Sequence, residues 1–293
     1  MEPVAVAVSG SSFYVADETH NVVRRVDADG SQVVVAGTGY GGILGDGGPA
    51  TSASLSQPRG VAVDAAGNLL IADTGEARVR VVATTTGTFD GQAMATGDNY
   101  TIAGHQGPGA NEPATAAFIE PESVAVDGAG NVLVGTSNSV DVVAASSVSF
   151  YGQAMTAGDI YTIAGGSAGV DLSTVSGVAV DGSGDVVFVG GGCVWVVAAA
   201  PGPLFGQEMS AGSVAPIGRS DSFPLDAGVA FDQTGNAVVA DGSGDGVVEI
   251  SRSSGAVVTV AVPEPPASPA MEDRPSQPSL RHRPAWPSTG PAT

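Results

Sequence analysis

The sequence predicts an all-β chain of the propeller type, in which four-stranded antiparallel blades follow one another. Three observations carry this. Short valine-rich apolar runs of strand length recur along most of the chain. The turns between them hold Gly, Asn or Asp, which tolerate the positive φ of tight reversals. And the whole arrangement repeats. The clearest unit spans Gly45 to Val82, GDGGPATSASLSQPRGVAVDAAGNLLIADTGEARVRVV. It contains a Gly/Pro-rich loop, a run at Val61–Val63, an Asp-x-x-Gly-Asn turn, a second run at Leu69–Ala72 and a third at Val79–Val82. A fourth run, Tyr100–Ala103, follows a long hairpin.

Taken in order, the first copy places strands at Val4–Val8, Phe13–Asp17, Val22–Asp27 and Gln32–Ala36. Later copies begin at Val61, Val124, Val178 and Val229, so five blades are counted. This fits either a five-bladed ring or an incomplete six-bladed one, with closure by dimerisation as a third outcome. The anchor aspartates Asp64, Asp127, Asp181 and Asp232 lie roughly 50 to 60 residues apart, slightly more than the usual blade period. Two insertions account for the excess. PATSASLSQP (Pro49–Pro58) and PATAAFIEP (Pro113–Pro121) are related connections that predict a short helical turn between prolines. FDGQAM, FYGQAM and LFGQEM form a repeated hairpin whose Met94, Met155 and Met209 predict a packing role.

The propeller is assigned to residues 1–262. After Val262 the chain becomes Pro-rich and loses strand periodicity, which predicts a disordered tail over 263–293. The full chain has 10 Lys+Arg, all of them Arg, against 30 Asp+Glu, for a net charge of −20. Such a surface repels phosphate backbones and argues against nucleic-acid binding. No run is long enough for a membrane span, and no signal peptide is recognisable at Met1. Cys193, the sole cysteine, reads as a small apolar core residue.

The pattern GDGGPAT…L…PxGVAVDxxGNLxIADTxxxRVRVV, followed by YTIAG at Tyr100–Gly104 and again at Tyr161–Gly165, resembles the NHL repeat in the style common in bacterial repeat proteins. The resemblance covers about residues 4 to 262 and implies a propeller. It also implies an extracellular or cell-surface setting and usually six blades. It brings in a lyase that releases amidated peptides, and lactonase-type propellers that hold a metal through central carboxylate, Asn and His side chains.

Two sets of carboxylates recur. Asp64, Asp127, Asp181 and Asp232 open Asp-x-x-Gly-(Asn/Asp) turns, where the side chain can accept backbone N–H groups. That explains their presence in successive blades better than metal binding does, because ligands should differ between blades. Asp17, Asp73 and Asp241 end second strands, and Arg24 and Arg80 follow the first two by seven residues. At the same spacing Thr136 and Gly190 are followed by Val143 and Val197, which favours an intra-blade ion pair. His20, His105 and His282 belong to no zinc or nucleophile motif, and no cofactor is expected.

The leading functional expectation is a non-catalytic scaffold that holds a protein or carbohydrate partner on an acidic loop face. Tyr40, Asp46, Glu76, Arg78 and Glu120 are chosen as contact residues for exposure and loop position. The alternatives are a metal-dependent lyase or hydrolase with a central-channel site, and a fragment of a larger secreted or surface protein.

Overall fold

The computed structural model describes residues 3–89, 91–104, 112–166, 172–219, 227–241 and 246–261. They form a five-bladed β-propeller of four-stranded antiparallel blades. The first blade comprises Pro3–Ser9, Ser12–Asp17, Val22–Val26 and Gln32–Ala36, and the second Pro58–Val63, Leu69–Asp73, Arg78–Val82 and Asp98–Ala103. The third comprises Pro121–Val126, Val132–Thr136, Ser139–Val143 and Asp159–Gly165. The fourth has Val175–Val180, Val186–Gly190, Cys193–Val197 and Val214–Arg219, and the fifth Val229–Phe231, Ala237–Asp241, Gly246–Ile250 and Val257–Ala261. In each, the first strand lies innermost, and from the first blade to the fifth these strands pack against one another in succession. The Pro-rich tail, His105, His282 and the side chain of Asp241 lie outside the described residues.

Alternation along each strand gives a blade two apolar faces, and these pair between neighbours. Ala16, Val23, Leu69 and Ile71 share a core between the first and second blades. Leu70, Val81, Val134 and Val143 do so between the second and third. Val142, Phe188 and Val197 join the third to the fourth, and Val196, Val239 and Ile250 the fourth to the fifth. Each fully buried Val, Leu or Ile stabilises by about 1.5–3 kcal/mol. Among the described residues no such core joins the fifth blade to the first. Cys193 departs from its predicted core position. It opens the third strand of its blade right after a tight turn and is only half-buried.

The anchor aspartates build the turn after the innermost strand of the second to fifth blades. Asp64 Oδ1 accepts the N–H groups of Ala66 and Asn68 at 2.9 and 2.7 Å, and its Oδ2 accepts Asn68 Nδ2 at 2.7 Å. Asp127 and Asp232 repeat the arrangement with Asn131 and Asn236. The Asn carbonyl then ties the turn to the end of the third strand, accepting N–H from Thr84, Ala145 and Arg252 in the three blades. In the fourth blade Asp185 stands where the others have Asn, so two carboxylates meet without an amide donor. The fifth blade supplies the cation: Arg252 Nη1 donates to Asp181 Oδ2 and Nη2 to Asp185 Oδ2, each at 2.6 Å.

Two further devices join blades. The connections predicted to turn between prolines contain the 3₁₀ turns Ala50–Ser52 and Ala114–Ala116. Ala50 accepts the Gly37 N–H and donates to the Gly97 carbonyl, and Ala114 bridges Gly104 and Gly158 likewise. Just ahead of these turns, Gly48–Pro49 and Glu112–Pro113 add a two-residue strand to the outer edge of the second and third blades. The repeated hairpins send Met94, Met155 and Met209 into the three cores that follow the first inter-blade core. Tyr151, in the third blade's hairpin, donates its hydroxyl to the Gly184 carbonyl of the next blade at 2.8 Å.

The Arg252 clamp makes a double-mutant prediction. Arg252→Met should cost on the order of 1–3 kcal/mol, since it leaves two neighbouring carboxylates without their donors. In an Asp185→Asn background the loss should shrink, because the amide restores the turn of the other blades. Urea unfolding of the four proteins measures the coupling, and strictly additive losses would refute it.

Candidate functional site

Each of the first four innermost strands opens with a β-bulge, at Pro3/Ala5, Pro58/Gly60, Pro121/Ser123 and Val175/Gly177. A bulge inserts one unpaired residue and re-aims its side chain. The inserted residues are Val4, Arg59, Glu122 and Ser176, and all four line one cleft of about 550 Å³ at the hub mouth. Pro3, Glu18 and Thr174 complete its described lining. Gly60, beside the Arg59 bulge, leaves room for close approach of the neighbouring strand: a Cβ there would stand 3.0 Å from the Ser123 Cα.

Arg59 spans three blades. Its Nε donates to Glu18 Oε1 of the first at 3.0 Å, and its Nη1 to Glu122 Oε2 of the third at 2.7 Å. The hydrogen bonds that it donates to Glu122 and Glu18 hold the guanidinium pKa above its ordinary value. Two acids against one base leave the clamp net negative, with carboxylate lone pairs and guanidinium N–H groups to spare. Adjoining the cleft, and sharing Val4, Arg59 and Ser176, a mainly apolar cavity of about 430 Å³ is lined by Val61, Val124, Val178 and Val229. Both volumes fall in the range of small-ligand sites. Among the described residues, no three of His, Cys, Asp and Glu are grouped to hold a metal ion.

The other recurring charges sit away from the cleft. Asp73 and Arg80 are fully buried, with Arg80 Nε 2.7 Å from Asp73 Oδ2, and Asp73 Oδ1 accepts the Ser56 N–H at 2.6 Å. Burial pushes the Asp73 carboxyl up to about 6 against the pull of Arg80. In the first blade Asp17 accepts Arg24 Nε at 3.2 Å and lies 2.8 Å from His20 Nδ1. The constant seven-residue spacing fails in the third and fourth blades, whose turns are shorter. Strand register places Asp141 and Trp195, not Val143 and Val197, where Arg80 sits. Asp141 is buried, with no cation paired to it among the described residues, and accepts the hydroxyls of Thr162 at 2.7 Å and Ser139 at 3.0 Å. Desolvation holds its pKa above the ordinary carboxylate value, the two hydroxyls opposing.

None of the five loop residues chosen from sequence is among the described residues lining the cleft. Tyr40 and Asp46 are exposed in the connection between the first and second blades. Glu120 is exposed two residues before Glu122 and accepts the Ser137 hydroxyl at 2.8 Å. Glu76 closes the 3₁₀ turn Thr74–Glu76 and is half-buried. Arg78 is half-buried too and is a strand residue, because the third strand begins right after that turn and sets it opposite Asp73. The sequence carries no signal for Arg59 and Glu122, since a bulge changes which way a residue points without changing composition; Glu18 begins the 3₁₀ turn Glu18–His20, where one acid looks like any other turn residue.

Residues 55–82 match the family model of the NHL repeat. No curated protein matches the chain. Among solved structures, the fold is similar to a chain of the nidogen/laminin complex (TM-score 0.57, 14% identity, covering 87% of this chain and 78% of that one). It is similar to virginiamycin B lyase from Staphylococcus aureus (TM-score 0.54, 11% identity, 90% and 71%). A gluconolactonase from Xanthomonas campestris is similar as well (TM-score 0.55, 15% identity, 87% and 72%). At these identities the likeness is one of fold.

Asp141 sets a pH dependence. A carboxyl whose pKa is raised by folding favours the native state fully below its unfolded value, and that contribution is lost as pH rises through the raised value. Asp141→Asn should therefore gain stability relative to the parent as pH rises above about 4, where an ordinary aspartate ionises. Denaturant midpoints across a pH series test this, and a difference independent of pH would contradict it.

Proposed function

We propose that this chain, an NHL-repeat β-propeller, is a non-catalytic binding scaffold that holds a protein or carbohydrate partner on the acidic face around its hub mouth. One observation carries the reading: a bulge position repeated in the first four blades holds a different residue each time. Turn aspartates recur because every blade needs the same turn. Val4, Arg59, Glu122 and Ser176 share a backbone role yet differ chemically, as expected of residues that serve a ligand. The Glu18–Arg59–Glu122 clamp offers both donors and acceptors, suited to sugar hydroxyls or peptide amides. Tyr40, Asp46 and Glu120 extend the contact surface outward. The net charge of −20 selects against phosphate-rich partners. No helix among the described residues is long and apolar enough to cross a membrane, and the proposed setting is extracellular or the cell surface.

A second reading, a metal-dependent lyase or hydrolase, is favoured by the fold's likeness to a lyase and a gluconolactonase. The two separate experimentally. Screening the full chain against glycan and peptide arrays should yield a ligand whose binding falls at least about tenfold, or about 1.4 kcal/mol, in Arg59→Ala and in Glu122→Ala. Capture indifferent to both substitutions would overturn the scaffold site. A melting temperature raised by calcium and reversed by chelator would support the metal reading instead.

A further inference from the structure

We infer that the cavity beside the hub mouth selects a peptide segment in which a branched aliphatic residue stands next to a lysine or arginine. This rests on the scaffold reading and narrows its partner to a protein. The cavity of about 430 Å³ reaches past the hub into the seam between the fifth blade and the first. Ala230, Val238, Ala240 and Val247 line it on the fifth-blade side and come from three adjacent strands. At about 4.8 Å between strands, that lining runs about 10 Å outward from the hub. Val4 and Val6 line the first-blade side and are 44% and 63% exposed, so the slot is open to solvent.

The lining decides what can enter. Apart from Arg59, its described polar side chains are Ser123 and Ser176, and both hydroxyl protons are spent on backbone carbonyls. Ser123 Oγ donates to the Val175 carbonyl at 3.0 Å and Ser176 Oγ to that of Ala227 at 2.9 Å. Sugar hydroxyls would leave water for this slot without partners, at a cost in free energy. An aliphatic side chain gives up nothing polar and gains burial. At the mouth, Glu18 and Glu122 outnumber Arg59, which attracts a cation and repels the carboxylate or phosphate head of a lipid. Arg59 lines both cavities, so the charged mouth and the apolar slot are contiguous. The base and the aliphatic group of the partner are therefore neighbours too.

An array of synthetic peptides, presented to the full chain beside a panel of oligosaccharides, tests this. Peptides in which Leu, Ile or Val adjoins Lys or Arg should be the ones that bind. Replacing the aliphatic residue by Ser, or the base by Glu, should weaken a bound peptide at least about tenfold. Val6→Asn, at an exposed and neutral position, should leave circular dichroism unchanged and weaken the same peptides by a similar factor. Glu122→Gln should reduce the preference for a base while the demand for the aliphatic residue stays. An oligosaccharide whose binding is lost in Arg59→Ala but kept in Val6→Asn would overturn this inference and leave the scaffold reading standing. Peptide binding indifferent to the aliphatic residue, or confined to acidic peptides, would overturn it too. Binding to neither peptides nor oligosaccharides would remove the scaffold reading as well.

Discussion

A blade made of Val and Ala cannot stand alone, because it has an apolar surface on each side and only a neighbouring blade can cover it. That constraint favours compact side chains: Val, Ile and Ala dominate and let strands of successive copies interleave, with Phe188 the large side chain accommodated between the third and fourth blades. It also explains the ties that cross from blade to blade. The Ala50 and Ala114 bridges, the methionine-bearing hairpins and the Arg252 clamp all hold neighbours in register. Each acts where a blade would otherwise slide over the next.

The architecture was open to reading because its signals are local and repeated. Strand-length valine runs, Asp-x-x-Gly-Asn turns and the PAT segments each mark one element, and recurrence separates them from chance. The hub mouth was not open to reading in that way. Arg59 and Glu122 follow a proline and precede a run such as Gly60-Val61-Ala62, and nothing in that string shows that they are unpaired residues turned to a cavity. The Asp141 network was hidden for a related reason: the spacing that aligns Asp73 with Arg80 shifts when a turn loses residues. Asp185 was the exception. Its substitution for Asn is plain in the sequence and calls for a cation, though not for one from Arg252.

Electrostatics divides the molecule into two regimes. Inside the blades, the Asp17 and Asp73 carboxylates are matched with arginine, and Asp141 with hydroxyls, because an unpaired buried charge is far more costly than the pair is favourable. At the hub mouth the same chemistry is left partly exposed and partly unsatisfied. Arg59 is held by two acids rather than one, which fixes its direction while leaving it reachable from solvent. Rigid presentation of a polar group lowers the ordering cost of any contact it makes.

The two-residue strands Gly48–Pro49 and Glu112–Pro113 have an effect beyond joining blades. Each occupies the outer edge of its sheet with a proline, which has no N–H to offer another strand. The perimeters of the second and third blades are thereby blunted against sheet-to-sheet growth, while among the described residues the first, fourth and fifth carry no such cover. Fibril-like accretion, where it begins, is directed to one side of the rim.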